Sequence, residues 1–224
     1  MDRRYANANR DRDRDRVRFN IEAWQPRTEL GRDVKAKRVT SIEQVFHDGR
    51  RIEEPEIIDA LLPELNNEVI EIASVQRMTK NNRKQKFRAT AVVGDGNGHI
   101  GVGSGKDPEV KAAIESAILD AKSKVIPIIM GCGSWQCLCG TKHSLPFKVT
   151  GRCGSVEVIL KPSPRGLGVV ASAPVRRMLE LAGVKDAWSF SRGRTRARYN
   201  TAMAVYRALG SINEMKNVPE KIVE

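Results

Sequence analysis

Alternation between apolar and polar positions is clearest in the middle of the chain. Val69, Ile70, Ile72 and Val75 predict a strand over Glu68–Met78. Phe87, Ala89, Ala91 and Val93 alternate with Arg88, Thr90 and Val92, a second strand with one better-buried face. Ile100 and Val102 alternate with Gly101 and Gly103 in a short third strand. The period then changes. Val110, Ala113, Ile114, Ala117, Ile118, Ala121 and Val125 fall on one face of a helix over 108–125, with Asp107 as its cap and Pro108 in its first turn. Two short helices precede the strands, one opening at Thr40 or Ser41 and one near Pro55. These patterns predict helix, three-stranded antiparallel sheet, helix.

A second unit follows. Residues 126–130 are apolar and read as a further strand or a link. Val156, Val158 and Leu160 mark a strand, and 162–168 form a Pro/Gly turn. Residues 169–171 resume a strand, Ser172 caps a helix from Pro174 to Leu181, and 184–190 form another strand. Asn200 is expected to cap a last helix carrying Ala202, Val205, Tyr206 and Leu209, ended by Gly210. The fold class expected is α+β, with a small α/β domain containing a βαβ-type unit after the first domain. The organisation reads as an arm at 1–40, a first domain at 41–130 with its core at 68–126, a cysteine-rich linker at 131–144, a second domain at 145–215 and a tail at 216–224. Within the arm, the alternating charges of Asp11–Arg16 predict disorder in residues 1–18, and 19–40 reads as extended.

Charge distribution sharpens this picture. The 224 residues carry 39 Lys+Arg against 27 Asp+Glu, a formal net of +12. Residues 1–70 hold 14 basic and 15 acidic residues, which leaves 25 against 12 for 71–224. The surplus cations lie wholly in the well-patterned part, which points to a polyanionic partner. There is no apolar run of spanning length and no basic amphipathic helix, so no membrane role is expected. Met1-Asp2-Arg3-Arg4 has no signal-peptide core, and a cytoplasmic protein is expected.

Three basic groups stand out. Arg77, Lys80, Arg83, Lys84, Lys86 and Arg88 surround Asn81-Asn82, whose side chains tolerate positive φ at a hairpin tip. Arg192, Arg194, Arg196 and Arg198 precede a helix start, and Arg165 sits in the Pro/Gly turn. Lys106, Lys148 and Arg152 complete the expected RNA contacts. No aromatic ladder accompanies them, so phosphate and shape recognition of folded RNA is expected rather than base-by-base reading.

Gly96-x-Gly98-x-x-Gly101 and Gly105-Lys106 formally resemble phosphate-binding loops. A strand rather than a helix follows, and Asp107 stands where a magnesium-binding Ser or Thr would be, so the glycines read as turn and packing residues. A nucleotide-binding enzyme using 96–106 is the alternative set aside on that ground. His47, His99 and His143 have no nucleophile or paired carboxylates beside them, and no active site is expected. Cys132-x4-Cys137-x-Cys139-x3-His143 lacks a Cys-x2-Cys pair. The spacing favours free thiols and a core histidine over a structural zinc held by the three cysteines with His143 or Cys153, and no cofactor is assigned.

Lys80-x-x-Arg83, Phe87, the run Val92–Gly103, Gly105-Lys106, Glu109-Val110 and Ala113-Ile114 resemble the family of small-subunit ribosomal protein number five. The likeness continues through Gly154-Ser155-Val156, Leu160-x-Pro162, Pro164-Arg165-Gly166-x-Gly168, Leu179-x-Leu181-Ala182-Gly183 and Asp186, covering roughly residues 68–210. The 147–156 run and the long N-terminal extension are similar to archaeal or eukaryotic members, and the 131–140 loop to archaeal ones. The resemblance implies a double-stranded-RNA-binding-like first domain and a second domain with a left-handed crossover. It also implies binding to small-subunit rRNA beside ribosomal proteins four and three near the mRNA entrance path, with an influence on decoding accuracy. The family's hairpin loop matches Lys80–Lys84, where bacterial members carry two glycines in place of Asn81-Asn82.

Overall fold

The computed structural model describes residues 21, 24–137 and 139–214. The expected disorder of 1–18 and the tail 216–224 lie outside the described residues. Helices α1 (Glu29–Lys35), α2 (Ile42–His47) and α3 (Pro55–Leu61) lead into strands β1 (Asn66–Met78), β2 (Arg83–Gly94) and β3 (His99–Asp107), helix α4 (Val110–Ser123) and strand β4 (Val125–Pro127). Beyond a long loop come β5 (Val149–Cys153), β6 (Val156–Pro162), β7 (Val169–Val170), α5 (Ala173–Leu181), β8 (Ala187–Arg192) and α6 (Arg198–Gly210), closed by a 3-10 turn at Ser211–Glu214.

The first sheet runs β1-β2-β3-β4, antiparallel throughout. The expected three-stranded meander is therefore extended by β4, in which Ile126 pairs with Ile100. Helix α4 packs on one face of the sheet. Ala113 and Ala117 are fully buried against Ala89 and Ala91, and the glycines of β3 make this approach possible. A Cβ on Gly103 would lie 2.2 Å from Ala121 N and 2.4 Å from Ala117 O, so the helix backbone rests directly on the strand. Asp107 belongs to β3, and Glu109 takes the N-cap position of α4 without a side-chain bond.

The second sheet has the order β5-β6-β8-β7, with β7 and β8 parallel and joined by α5. Helices α5 and α6 lie between the two sheets. One continuous core joins Ile70, Val92, Ile100 and Val102 of the first sheet to Met178, Leu179, Val205 and Leu209 of the helices and to Val156, Val158 and Leu160 of the second. Gly151 lets α6 press onto β5, since a Cβ there would lie 2.0 Å from Ala204 O. The layers are thus α4, sheet, α5 with α6, sheet. Among the described residues nothing covers the outer face of the second sheet.

The structure departs from the sequence reading in the arm. Glu29–Lys35 is helical, capped by Thr28, whose hydroxyl accepts from Gly31 N at 3.1 Å. Leu30 and Val34 bury with Trp24, Ile42, Val45, Ile52, Ile57 and Ile58. Seven residues give only two turns, too few for an apolar period to emerge, and tertiary burial stabilises the helix instead. Similarly, α6 starts at Arg198 with Ala197 at the cap, so Asn200 lies in its first turn and not at the cap position.

Candidate nucleic-acid interface

Strands β1 and β2 form a hairpin that stays paired to Met78↔Arg83. At its tip Thr79 N donates to Asn82 O at 2.9 Å, while Asn82 N donates to the Thr79 hydroxyl at 3.3 Å. Asn82 Oδ1 accepts from Arg83 N at 2.7 Å. Neither Asn81 nor Asn82 has positive φ; among the described non-glycine residues only Lys37 does. That corrects the expected role of the Asn pair.

Strand parity sorts the cations. Lys84, Lys86 and Arg88 alternate on one face of β2, about 7 Å apart. Arg77 sits opposite Lys84, and Lys106 opposite Arg88, so all five share that face. Arg77, Lys80, Asn81, Asn82, Arg83, Lys84 and Lys106 are exposed, and Lys86 and Arg88 are half-buried. Further along, the same face carries Val92 and enters the core under α5 and α6. The Arg88 guanidinium lies over the Tyr199 ring at 5.3 Å from its centroid, joining the hairpin to the first turn of α6. Arg88 is accordingly a bracket between the first sheet and α6 as well as a cation. Arg194, Arg196 and Arg198, all exposed, approach that same helix start. One basic surface therefore runs from the hairpin tip to the opening of α6.

The other expected residues lie on the second sheet. Arg152 and Arg192 stand opposite Glu157 of β6 in the strand register, one from each side, and share its outer face. Lys148 precedes β5, and Arg165 is exposed in the turn, whose Gly166 and Gly168 amides donate to Asp186 Oδ1 at 3.1 and 2.7 Å. The structure adds residues that the sequence reading did not select. Trp188 and Phe190, 37% and 53% exposed, stand on the same outer face, with Lys161 Nζ 5.0 Å from the Phe190 ring centroid. Their period-2 spacing was visible, but not that their own side of the sheet would lack a covering helix among the described residues.

None of these fourteen expected cations pairs with a carboxylate within 4.0 Å among the described residues. Some cations elsewhere do: Lys122 meets Asp59 at 2.7 Å, Lys124 meets Asp120 at 2.7 Å, and Arg177 meets Glu68 at 3.1 Å. The cations of the hairpin face and of the start of α6, without carboxylate partners, are the ones arranged to meet a phosphate backbone.

The glycine-rich turn is differently occupied. Its amides are consumed internally: Gly96 N donates to Leu181 O, Gly98 N to Ala182 O, and Asn97 N and His99 N to Asp95 Oδ1. No cradle of free amides remains for a nucleotide phosphate. Burial alone would raise the Asp95 carboxyl, but its bonds from His99 Nδ1 at 2.6 Å and from the two amides hold it below the usual carboxylate range. Gly183 completes the docking, since a Cβ there would lie 2.1 Å from Gly96 O. The turn fastens the first sheet to the end of α5.

Cys132, Cys137, Cys139 and His143 place their ligand atoms within 4.8 Å of one another in the loop between the sheets. Cys153, on β5, is not part of that group.

Comparison with known proteins gives two family-model matches. Residues 65–129 match the model described as Ribosomal protein S5, N-terminal domain, and residues 151–221 that described as Ribosomal protein S5, C-terminal domain. The chain is 49% identical over 197 residues to the small ribosomal subunit protein uS5 of Methanocaldococcus jannaschii, spanning 88% of this chain and 91% of that one. It is 50% identical over 190 residues to uS5 of Aeropyrum pernix (85% and 87%) and 48% over 193 residues to that of Methanoregula boonei (86% and 94%).

Proposed function

The chain belongs to the ribosomal protein S5 family, and from that premise we propose that it is a structural, non-enzymatic component of the small ribosomal subunit that binds small-subunit rRNA. The observation that carries this reading is the unpaired basic surface running from Arg77 and Lys80–Lys86 through Arg88 and Lys106 to Arg194–Arg198. Arg152, Arg192, Lys148 and Arg165 serve a second face of the same body. Cations held on strands at regular spacing neutralise phosphates with little loss of conformational entropy, because the sheet has already fixed their backbones.

We propose a finer role as well. The protein sits beside ribosomal proteins four and three near the mRNA entrance path and supports decoding accuracy. The shared core between the sheets supports this, since the hairpin projects from a single packed body and transmits the position of that body to its RNA contact. The exposed Trp188 and Phe190, flanked by Lys161 and Arg192, offer a mixed apolar and basic face for a neighbouring component.

Ultraviolet crosslinking of assembled small subunits followed by peptide mass spectrometry tests the assignment. Peptides spanning 77–88 and 192–198 are expected to carry RNA adducts. Adducts confined to other surfaces would remove these residues from the interface.

A further inference from the structure

The loop between the sheets has a closed neck. Gly131 N donates to Ser144 O and Ser144 N to Gly131 O, both at 2.9 Å, and Gly133 N donates to Leu145 O at 3.1 Å. Gly133 is pressed against this neck, where a Cβ would lie 2.0 Å from Pro146 O. Beyond the neck the loop has little apolar material to order it, and Trp135 is 83% exposed. Three free cysteines and a buried histidine nevertheless turn toward one point, with all four ligand atoms within 4.8 Å of one another.

The histidine is already set for coordination. Its Nδ1 lies 2.8 Å from Asp186 Oδ2. A carboxylate only accepts, so Nδ1 carries a proton, and the neutral imidazole keeps its lone pair on Nε2 for a ligand bond. That Nε2 faces Cys137 Sγ at 3.7 Å. In a tetrahedral zinc site with Zn–S near 2.3 Å and Zn–N near 2.0 Å, ligand atoms stand about 3.5–3.8 Å apart. The Cys137–His143 pair is at that spacing, and the most distant pair needs to close by about 1 Å. Asp186 is itself anchored by the Gly166 and Gly168 amides, and the His143 carbonyl accepts from Lys185 N and Asp186 N. The carboxylate behind the imidazole is the arrangement that fixes a zinc-binding histidine.

We propose that Cys132, Cys137, Cys139 and His143 Nε2 hold one structural zinc ion, with Asp186 as the positioning residue behind the histidine. On binding, the three thiols release their protons and each sulfur donates a lone pair to the metal, with no change of oxidation state. Four protein ligands leave no open position, so the ion is structural. It ties the loop to the segment before β8, fixing the connection between the two sheets. The missing Cys-x2-Cys pair is explained by the neck: strand-like pairing at Gly131–Ser144 returns the chain and supplies the closure that a tight knuckle provides elsewhere.

The test uses the full chain, reduced and purified without chelator or polyhistidine tag. Elemental analysis is expected to give one zinc per chain, lost in Cys137→Ser and His143→Ala and kept in Cys153→Ala. Cobalt titration of the reduced, metal-stripped wild-type chain reads the site independently of any variant. One equivalent is expected to give intense tetrahedral d–d absorption with a thiolate charge-transfer band. Asp186→Asn is expected to keep that spectrum at saturation while weakening affinity about 10- to 100-fold. Absence of the cobalt spectrum overturns the proposal. So does metal retained in both ligand variants, or lost in Cys153→Ala.

Discussion

Replacing Lys80, Arg83 and Lys84 together by alanine isolates the electrostatic contribution of the hairpin tip. All three are exposed and have no carboxylate partner, and the turn is closed by bonds among Thr79, Asn82 and the Arg83 amide that these side chains do not join. Folding stability should change by no more than about 0.5 kcal/mol. RNA affinity should change far more. Each phosphate neutralised contributes about 0.7–0.9 to the slope of log K against log salt, so losing three contacts flattens the slope by about 2–2.7. At about 0.1 M salt, relative to about 1 M where the contribution vanishes, that is a loss of roughly 100- to 500-fold. The assay is anisotropy titration of labelled small-subunit rRNA at several salt concentrations, with urea unfolding alongside. Lys124→Ala serves as a control, because that exposed cation is paired with Asp120 at 2.7 Å. An unchanged slope in the triple variant, or an equal change in the control, refutes the assignment of the tip to phosphate contact.

Other consequences follow from the packing. Gly103→Ala should lower stability by about 1–3 kcal/mol, seen as a lower urea midpoint at constant m, because its Cβ would lie 2.2 Å from Ala121 N. A double-mutant cycle between Arg88→Ala and Tyr199→Leu should give a coupling of about 0.5–2 kcal/mol in unfolding experiments, since the guanidinium lies over the ring. Asp95 has a folded pKa below its unfolded value, so its stabilisation is present above the unfolded pKa and is lost as pH falls through the folded one. Acid titration of stability below about pH 4 should therefore be flatter in Asp95→Asn than in the parent chain. An equally steep acid limb in that variant would show that other groups carry it.

Particular residues show what the sequence could and could not say. Strand positions such as Ala89 and Ala91 were legible because alternation is local, and the glycines of β3 because a helix must approach some strand closely. Helix α1 was not legible, because Leu30 and Val34 are two apolar residues whose partners, Ile57 and Ile58, lie more than twenty residues away. The basic residues of the hairpin were legible as a charge run, but their division into faces depends on the register that sets Arg77 opposite Lys84. Phe190 and Trp188 alternated as any strand does, and only the layer order shows that their side is open. The cysteine loop hid its geometry for the same reason: Asp186, which orients His143, comes from a segment 43 residues away. The Asn pair misled because tolerance of positive φ does not require it, and the turn closes through the Thr79 hydroxyl with both asparagines at negative φ.

We propose that the basic surface of this S5-family chain holds it on the rRNA of the small ribosomal subunit. Sucrose-gradient fractionation of a tagged full chain in its native cells tests it most directly. The chain is expected in the small-subunit peak at low salt, with its share there reduced by the Lys80, Arg83 and Lys84 substitutions. Its absence from that peak at low salt, with the protein recovered in the unassembled fractions, would rule out that attachment.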